Sequence, residues 1–433
     1  MADAPATIDA SSTEPKKDDV KKVKKAPRRI TRRRNKTPKA PPVDPALLEK
    51  TMQESNLPKA YSFEIPKTLQ RIINLKATHI ALQMPEGLLL YATVLSDVLQ
   101  RLAPCLEQVS ILGDVTYGAC CVDDLGAQAL GAELLVHYGH SCLVPIQHTA
   151  IPCLYVFVEL AIDVPHVVDC LNLTVAGSSS SAAAAASGES KLPHVYLLGT
   201  IQFRHSLTEA QTMLEEKGYQ TSIPQAKPLS PGEVLGCTSP VLAEDTAPDS
   251  IVLFVADGRF HLESTMISNP DISRFYRYDP YSKTLTLESY EHDKMKDIRF
   301  SAITNAKSAN TFGILMGTLG RQGNPAILSR IQEKLKAKGK RSFIMLVSEI
   351  TPAKLTLLEN KIDAWVQIAC PRLSVDWGHH LSTKRPVLNP YELFVCLDET
   401  PFKKNYPMDY YSNAGGEWSN YSGTNKERQV VMT

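Results

Sequence analysis

Nine cysteines, at positions 105, 120, 121, 142, 153, 170, 237, 370 and 396 of 433, are the residues with the widest choice of chemistry in this chain. Their number is odd and their spacing loose, unlike the dense, even framework of a small disulfide-stapled domain. They therefore read as reduced cytosolic thiols, any special members of which serve metal binding or catalysis. Three segments place a thiol just past an apolar run: VTYGACC with Cys120 and Cys121, GEVLGCTSP with Cys237, and WVQIACPRL with Cys370. Three thiolates brought together would hold a metal centre, and three protein ligands on a 4Fe-4S cluster would leave one iron free for substrate. No CxxC or CxxxCxxC spacing enforces that convergence, and Cys370 follows a later strand of its unit than Cys120 does, so spacing alone leaves it open. Cys105, Cys142, Cys153, Cys170 and Cys396 sit in apolar contexts such as PCL, SCLVP and FVCL, where a buried thiol behaves as a small hydrophobe.

Other reactive types offer less. His137 and His140 with Cys142 in HYGHSC are too few to close a zinc site and continue an apolar strand, so a structural role is expected; His379 and His380 read as polar loop groups. No GxSxG elbow follows a strand, which argues against a serine hydrolase.

The elements that must position these thiols repeat. A short apolar strand, a Gly-containing loop and an amphipathic helix occur three times, beginning at HIALQM (79–84), HVYLLGT (194–200) and TFGILMGT (311–318). Further strands are expected at VSILGD, LLVHYG, QTSIP, SIVLFVADG, SFIMLVS and AWVQIA. Apolar runs alternating with helical stretches predict an α/β fold of three pseudo-repeated domains, each a small parallel sheet flanked by helices; convergence of the three thiols would put a central cluster site between them. The expected boundaries are 46–175, 191–304 and 305–399, with a Ser/Ala low-complexity loop at 176–190 and an irregular tail at 400–433. That tail is expected to pack on the surface or on a partner through Tyr410, Tyr411 and Trp418. Ligand crevices of open parallel sheets lie at the carboxyl ends of the strands, where the thiols sit.

Composition bounds the rest. Apolar residues form 43% and charged residues 21% of the chain, as in soluble globular proteins, and no run approaches the ~18–20 apolar residues of a membrane span. The net charge of +1 hides a basic arm: residues 1–45 hold thirteen Lys/Arg against six Asp/Glu. Such an arm cannot bury enough surface to fold alone and would contact nucleic acid only non-specifically, through phosphates; no aromatic is interleaved to stack bases.

Several stretches together resemble the diphthamide synthase family: YSFEIPKTLQRI, LQMPEGLLLYA, GDVTYGACCVDD, VHYGHSCLVPI, LLGTIQF, GCTSP, VADGRFHLES, LVSEITPAKL and ACPRLSVDWG, spanning about 60–393. The resemblance implies a cytoplasmic radical enzyme in which Cys120, Cys237 and Cys370 hold a 4Fe-4S cluster. Its open iron binds S-adenosylmethionine, whose 3-amino-3-carboxypropyl group passes to a histidine of translation elongation factor 2. It also implies a homologous subunit 2 and a small metal-binding electron donor. For the methionine end of such a co-substrate, polar groups at the strand ends of the third unit are expected: Gln322, Ser348 and Arg372, whose guanidinium can grip a carboxylate bidentately. Other readings are a quinolinate-synthase-like iron–sulfur dehydratase, or a basic-arm polyanion-binding module with bystander cysteines.

Overall fold

The computed structural model describes residues 43–114, 116–141, 143–178, 192–242, 250–382, 384–411 and 415–420. The basic arm up to residue 42, Cys142 and most of the Ser/Ala stretch lie outside the described residues, although the backbone of the helix Val164–Ser178 takes in its first residues.

Three sheets organise the described chain. The strands in chain order are β1 (Tyr61–Ser62), β2 (His79–Gln83), β3 (Gln108–Leu112), β4 (Leu134–Tyr138), β5 (Cys153–Val156), β6 (Glu159–Leu160), β7 (Val195–Gly199) and β8 (Thr221–Ser222). They continue with β9 (Ile251–Val255), β10 (Arg274–Asp279), β11 (Thr284–Glu288), β12 (Thr311–Gly317), β13 (Arg341–Val347), β14 (Ala364–Ile368) and β15 (Val387–Leu388). The first sheet has the order β3-β2-β4-β5 and the third β13-β12-β14-β15, both wholly parallel. The second, β11-β10-β9-β7-β8, is parallel except at β10–β11, an antiparallel hairpin that departs from the all-parallel expectation. Its cause is local: RFYRYD and TLTLE are joined through Asp279, whose carboxylate accepts from Tyr281 and Ser282 N–H, and through Lys283 at positive φ. A turn this short can reverse the chain but cannot carry a crossover. A small ribbon pairs β1 with β6.

The central strands β2, β4, β7, β9 and β14 are buried at every position, as expected of apolar runs covered on both faces. Helices supply the covers. In the helix Ala92–Leu102, Leu95, Val98, Leu99 and Leu102 recur at helical spacing and are buried, each contributing roughly 1.5–3 kcal/mol. The helix Pro325–Ala337 begins where Asn324 caps it and Pro325 fills its first turn, and it ends on Lys334 and Lys336, cations that suit the helix carboxyl end.

The C-terminal segment is irregular, as its lack of periodicity predicts, but it does not lie on the surface. Tyr406, Met408, Tyr410 and Trp418 join the core of the third sheet, and Tyr411 enters an apolar cluster with Ala81 and Leu135 of the first sheet and Leu235 of the second. Thr238 donates to Asp409, Tyr411 to the carbonyl of Arg321, and Arg330 to the carbonyl of Ser419. This segment is a strap across all three sheet units, and its aromatic side chains were anchors whose partners only the fold reveals.

Candidate functional site

Each sequence-predicted thiol is held by groups from elsewhere in the chain. Cys120 lies in the 3-10 turn Ala119–Cys121 beyond β3. Gln83, at the carboxyl end of β2, donates to the carbonyl of Cys121 at 2.8 Å and accepts from the N–H of Asp123 at 3.1 Å. A glutamine inside an otherwise apolar strand was the sequence signal for this clamp. From the third sheet, the N–H of Arg321 donates to the carbonyl of Cys120, while its guanidinium grips buried Asp124 at 2.8 and 2.6 Å. Gly320 makes this approach possible: it has φ +55°, and a Cβ there would collide with the backbone of Cys121.

Cys237 sits in a tight turn closed by reciprocal backbone bonds between Leu235 and Thr238, in the loop after Glu233, which bridges the carboxyl end of β7. Gly236 lets the Phe260 ring pack where a side chain would clash. Cys370 caps the helix Pro371–Leu381 beyond β14, with its carbonyl held by Gln367 at 2.9 Å.

These thiols share two cavities. A front cavity of about 500 Å³ is lined by Cys120, Cys237 and Cys370 together with Gln322, Ser348, Arg372, His261, Asp376 and Trp377. A back pocket of about 20 Å³ is lined by the same three cysteines and Gln322, closed by Met408, Tyr410, Tyr411 and Asn420 of the strap. Among the described residues no three His, Cys, Asp or Glu side chains are close enough to hold a single metal ion. Cys120, Cys237 and Cys370 flank a shared space, and cysteine thiolates are the usual ligands of an iron–sulfur cluster. Burial raises the pKa of Cys237 and Cys370, and Cys120 is raised by its hydrogen bond with Cys121, by burial and by the other thiols. That same bond draws Cys121 down to about 7. Cys120 lines both cavities, whereas Cys121 is buried away from them.

The residues expected at the methionine end all line the front cavity, in different states. Gln322 points its amide nitrogen at the sulfurs of Cys120 and Cys121, at 3.6 and 3.4 Å, and Ser348 is exposed just past β13. Arg372 is 3% exposed and heavily engaged: Nε on Asp376, Nη1 on the carbonyls of Gly236 and Phe260, and Nη2 on Glu263. Four of its five N–H donors are thereby taken, so a two-pronged grip on a carboxylate would need this brace to rearrange.

A model of the family described as "Putative diphthamide synthesis protein" matches residues 84–407. The chain belongs to the diphthamide synthesis family. Among its relatives, a Dictyostelium discoideum protein is 48% identical over 372 residues, 84% of this chain and 74% of the relative. A Homo sapiens protein is 48% identical over 366 residues, 84% of this chain and 78% of the relative. Both are named 2-(3-amino-3-carboxypropyl)histidine synthase subunit 1, a name that implies a partner subunit. The fold matches that of Dph2 from Pyrococcus horikoshii with a 4Fe-4S cluster, with TM-score 0.63 and 24% identity over 80% of this chain and 94% of that one. This member of the diphthamide synthesis family is a transferase. Among the described residues no helix is long and apolar enough to cross a membrane.

The front cavity also holds His261, which the sequence did not single out, and buried histidines occur elsewhere in the chain. His261 and His140 are each lowered to about 4, chiefly by burial, and His137 is lowered well below the usual range for the same reason, so all three are neutral near pH 7. His137 bonds through Nδ1 to Gln83 at 2.9 Å, and its ring centroid lies 5.5 Å from that of His140. The structural role expected for this pair fits their burial, whereas His379 and His380 fall in the last turn of the helix Pro371–Leu381, not in a loop.

Proposed function

We propose that this chain is the cluster-bearing catalytic subunit of a 2-(3-amino-3-carboxypropyl)histidine synthase. In this reading it works in the cytoplasm with a homologous subunit 2 and a small metal-binding electron donor. Its protein substrate is translation elongation factor 2. The observation that carries the reading is that Cys120, Cys237 and Cys370, each from a different sheet unit, line one cavity in a chain of this family.

Cys120, Cys237 and Cys370 would hold a 4Fe-4S cluster. When bound, it supplies an open iron for S-adenosylmethionine and the electron that breaks its bond between sulfur and the γ-carbon. The chain's own residues bind, orient and exclude water. Leu235, Phe260, Leu143 and Trp377 give the front cavity apolar walls. The amide of Gln322, the hydroxyl of Ser348 and the one remaining donor of Arg372 are the polar groups for the methionine carboxylate. Asp376 and Glu349 on the same wall suit the ammonium and sulfonium, since the co-substrate carries two positive charges against one negative. Overall the transfer is redox-neutral: a carbon–carbon bond forms at imidazole C2, the electron spent on cleaving the co-substrate is given back as the C2 hydrogen leaves as a proton and the ring regains aromaticity, and methylthioadenosine is the co-product.

The deciding experiment is anaerobic incubation of the iron-loaded chain with S-adenosylmethionine, dithionite, the partner subunit and elongation factor 2. Equal amounts of methylthioadenosine and of 3-amino-3-carboxypropyl adduct on one histidine are expected; cofactor turnover without the adduct would overturn the substrate. The Cys237→Ala chain should keep its far-UV circular dichroism and lose bound iron and sulfide, because its thiol serves an open site and not a sheet interior.

A further inference from the structure

The strap reaches the back of the three thiols, and one group on it is left incomplete. Tyr410 is 4% exposed and lines the back pocket with Cys120, Cys237 and Cys370. Its hydroxyl has no hydrogen-bond partner that meets normal geometry among the described residues. The backbone N–H of Tyr391 lies near the phenol oxygen and can only donate to it, so the phenol proton still lacks an acceptor. Burying an unpaired hydroxyl costs about 1–3 kcal/mol, and a native chain that keeps one calls for an explanation.

The pocket wall narrows the choice. Gln322 turns its amide nitrogen toward Cys120 and Cys121, and the backbone carbonyl of Asn420 is near the side chain of Asn324. Three further acceptors on that wall are the sulfurs of Cys120, Cys237 and Cys370, and the last two lie close enough to act electrostatically on the Tyr410 phenol. A protonated thiol accepts weakly, whereas a cysteinyl thiolate bound to iron accepts well.

We propose that Tyr410 is a positioning residue that donates its phenol hydrogen bond to a cysteinyl sulfur of the centre, Cys237 or Cys370, and so raises the potential at which the centre takes up an electron. The inference rests on the three-cysteine reading above. Its physical basis is that added negative charge on sulfur strengthens such a bond, which favours the reduced state. The strap is then a working part of the chamber wall, and the part played by Tyr410 is not replaceable by a ring of equal size without the hydroxyl.

The test compares full-length wild-type, Tyr410→Phe and Tyr406→Phe chains, each loaded anaerobically with iron and sulfide and titrated by electron paramagnetic resonance. Tyr406 is on the same strap but spends its hydroxyl on Glu392 at 2.7 Å. The expected result is a Tyr410→Phe chain with wild-type iron content and a reduced-to-oxidised ratio about tenfold lower at fixed potential, or roughly 59 mV for one electron. Tyr406→Phe should melt earlier at an unchanged midpoint. An unchanged midpoint in Tyr410→Phe, or equal shifts in both variants, overturns the inference. So does a folded Tyr410→Phe chain that takes up no iron, which would assign the residue to assembly. A wild-type chain that takes up no iron or sulfide overturns the three-cysteine reading itself, and the inference falls with it.

Discussion

Arg299 and His137 are 1% and 0% exposed, yet one is charged and the other neutral. Arg299 lies in the third sheet's core with Nε and Nη2 on the two carboxylate oxygens of Glu392, both at 2.6 Å, and Nη2 also on the carbonyl of Val387. Tyr406 and the N–H of Asn389 complete that carboxylate. His137, His140 and His261, of which the last lines the front cavity, are instead discharged, chiefly by burial. A buried ionisable group is thus either paired or discharged. The chain pairs Arg299 in the third sheet's core and leaves the three histidines neutral.

The strongest way to break this contrast is Arg299→Ala. It strands Glu392 without a counter-ion and should cost about 3–5 kcal/mol in a urea titration. A loss below 1 kcal/mol would mean that Tyr406 and Asn389 alone suffice.

Acid should act on the discharged region. The folded chain refuses protons that the unfolded chain accepts below pH 6.5, so stability is full above that value and falls as pH drops toward about 4. The slope is about 1.4 kcal/mol per pH unit for each histidine kept neutral. His140→Gln should remove one histidine's share, and an unchanged slope would show that His140 takes up a proton in the folded state.

Arg372 stands between the two cases, paired to Glu263 and Asp376 yet lining the cavity. Arg372→Lys keeps the charge and loses the fork, so we expect about 1–2 kcal/mol of stability and a larger proportional loss of S-adenosylmethionine affinity, read by calorimetry on loaded protein. Unchanged affinity would make it a brace only. The smallest effect is expected for Cys121→Ala, which should keep most bound iron, whereas Cys120→Ala should lose it; the reverse would exchange their roles.

Much of this was legible in the sequence. Apolar runs such as IVLFV announced the central strands, and the three thiols singled out past apolar runs line one cavity. The hairpin β10–β11 was legible too, in the alternation of TLTLE after a polar turn, but an expectation of crossovers hid it. The brace on Arg372 was not: Glu263 is 109 residues away, and nothing local distinguishes an arginine that will meet it. Nor was the strap, whose aromatic residues follow no period because they fill gaps shaped by three sheets at once.

The strap also sets a schedule for biogenesis. Its closing contacts come from residues 406–420, after every strand among the described residues has been translated. A nascent chain can lay down the sheets in order as it leaves the ribosome, but the back of the chamber stays open until this last stretch emerges. Iron delivery should therefore be post-translational, and a ribosome stalled after β15 would carry three thiols with no wall behind them.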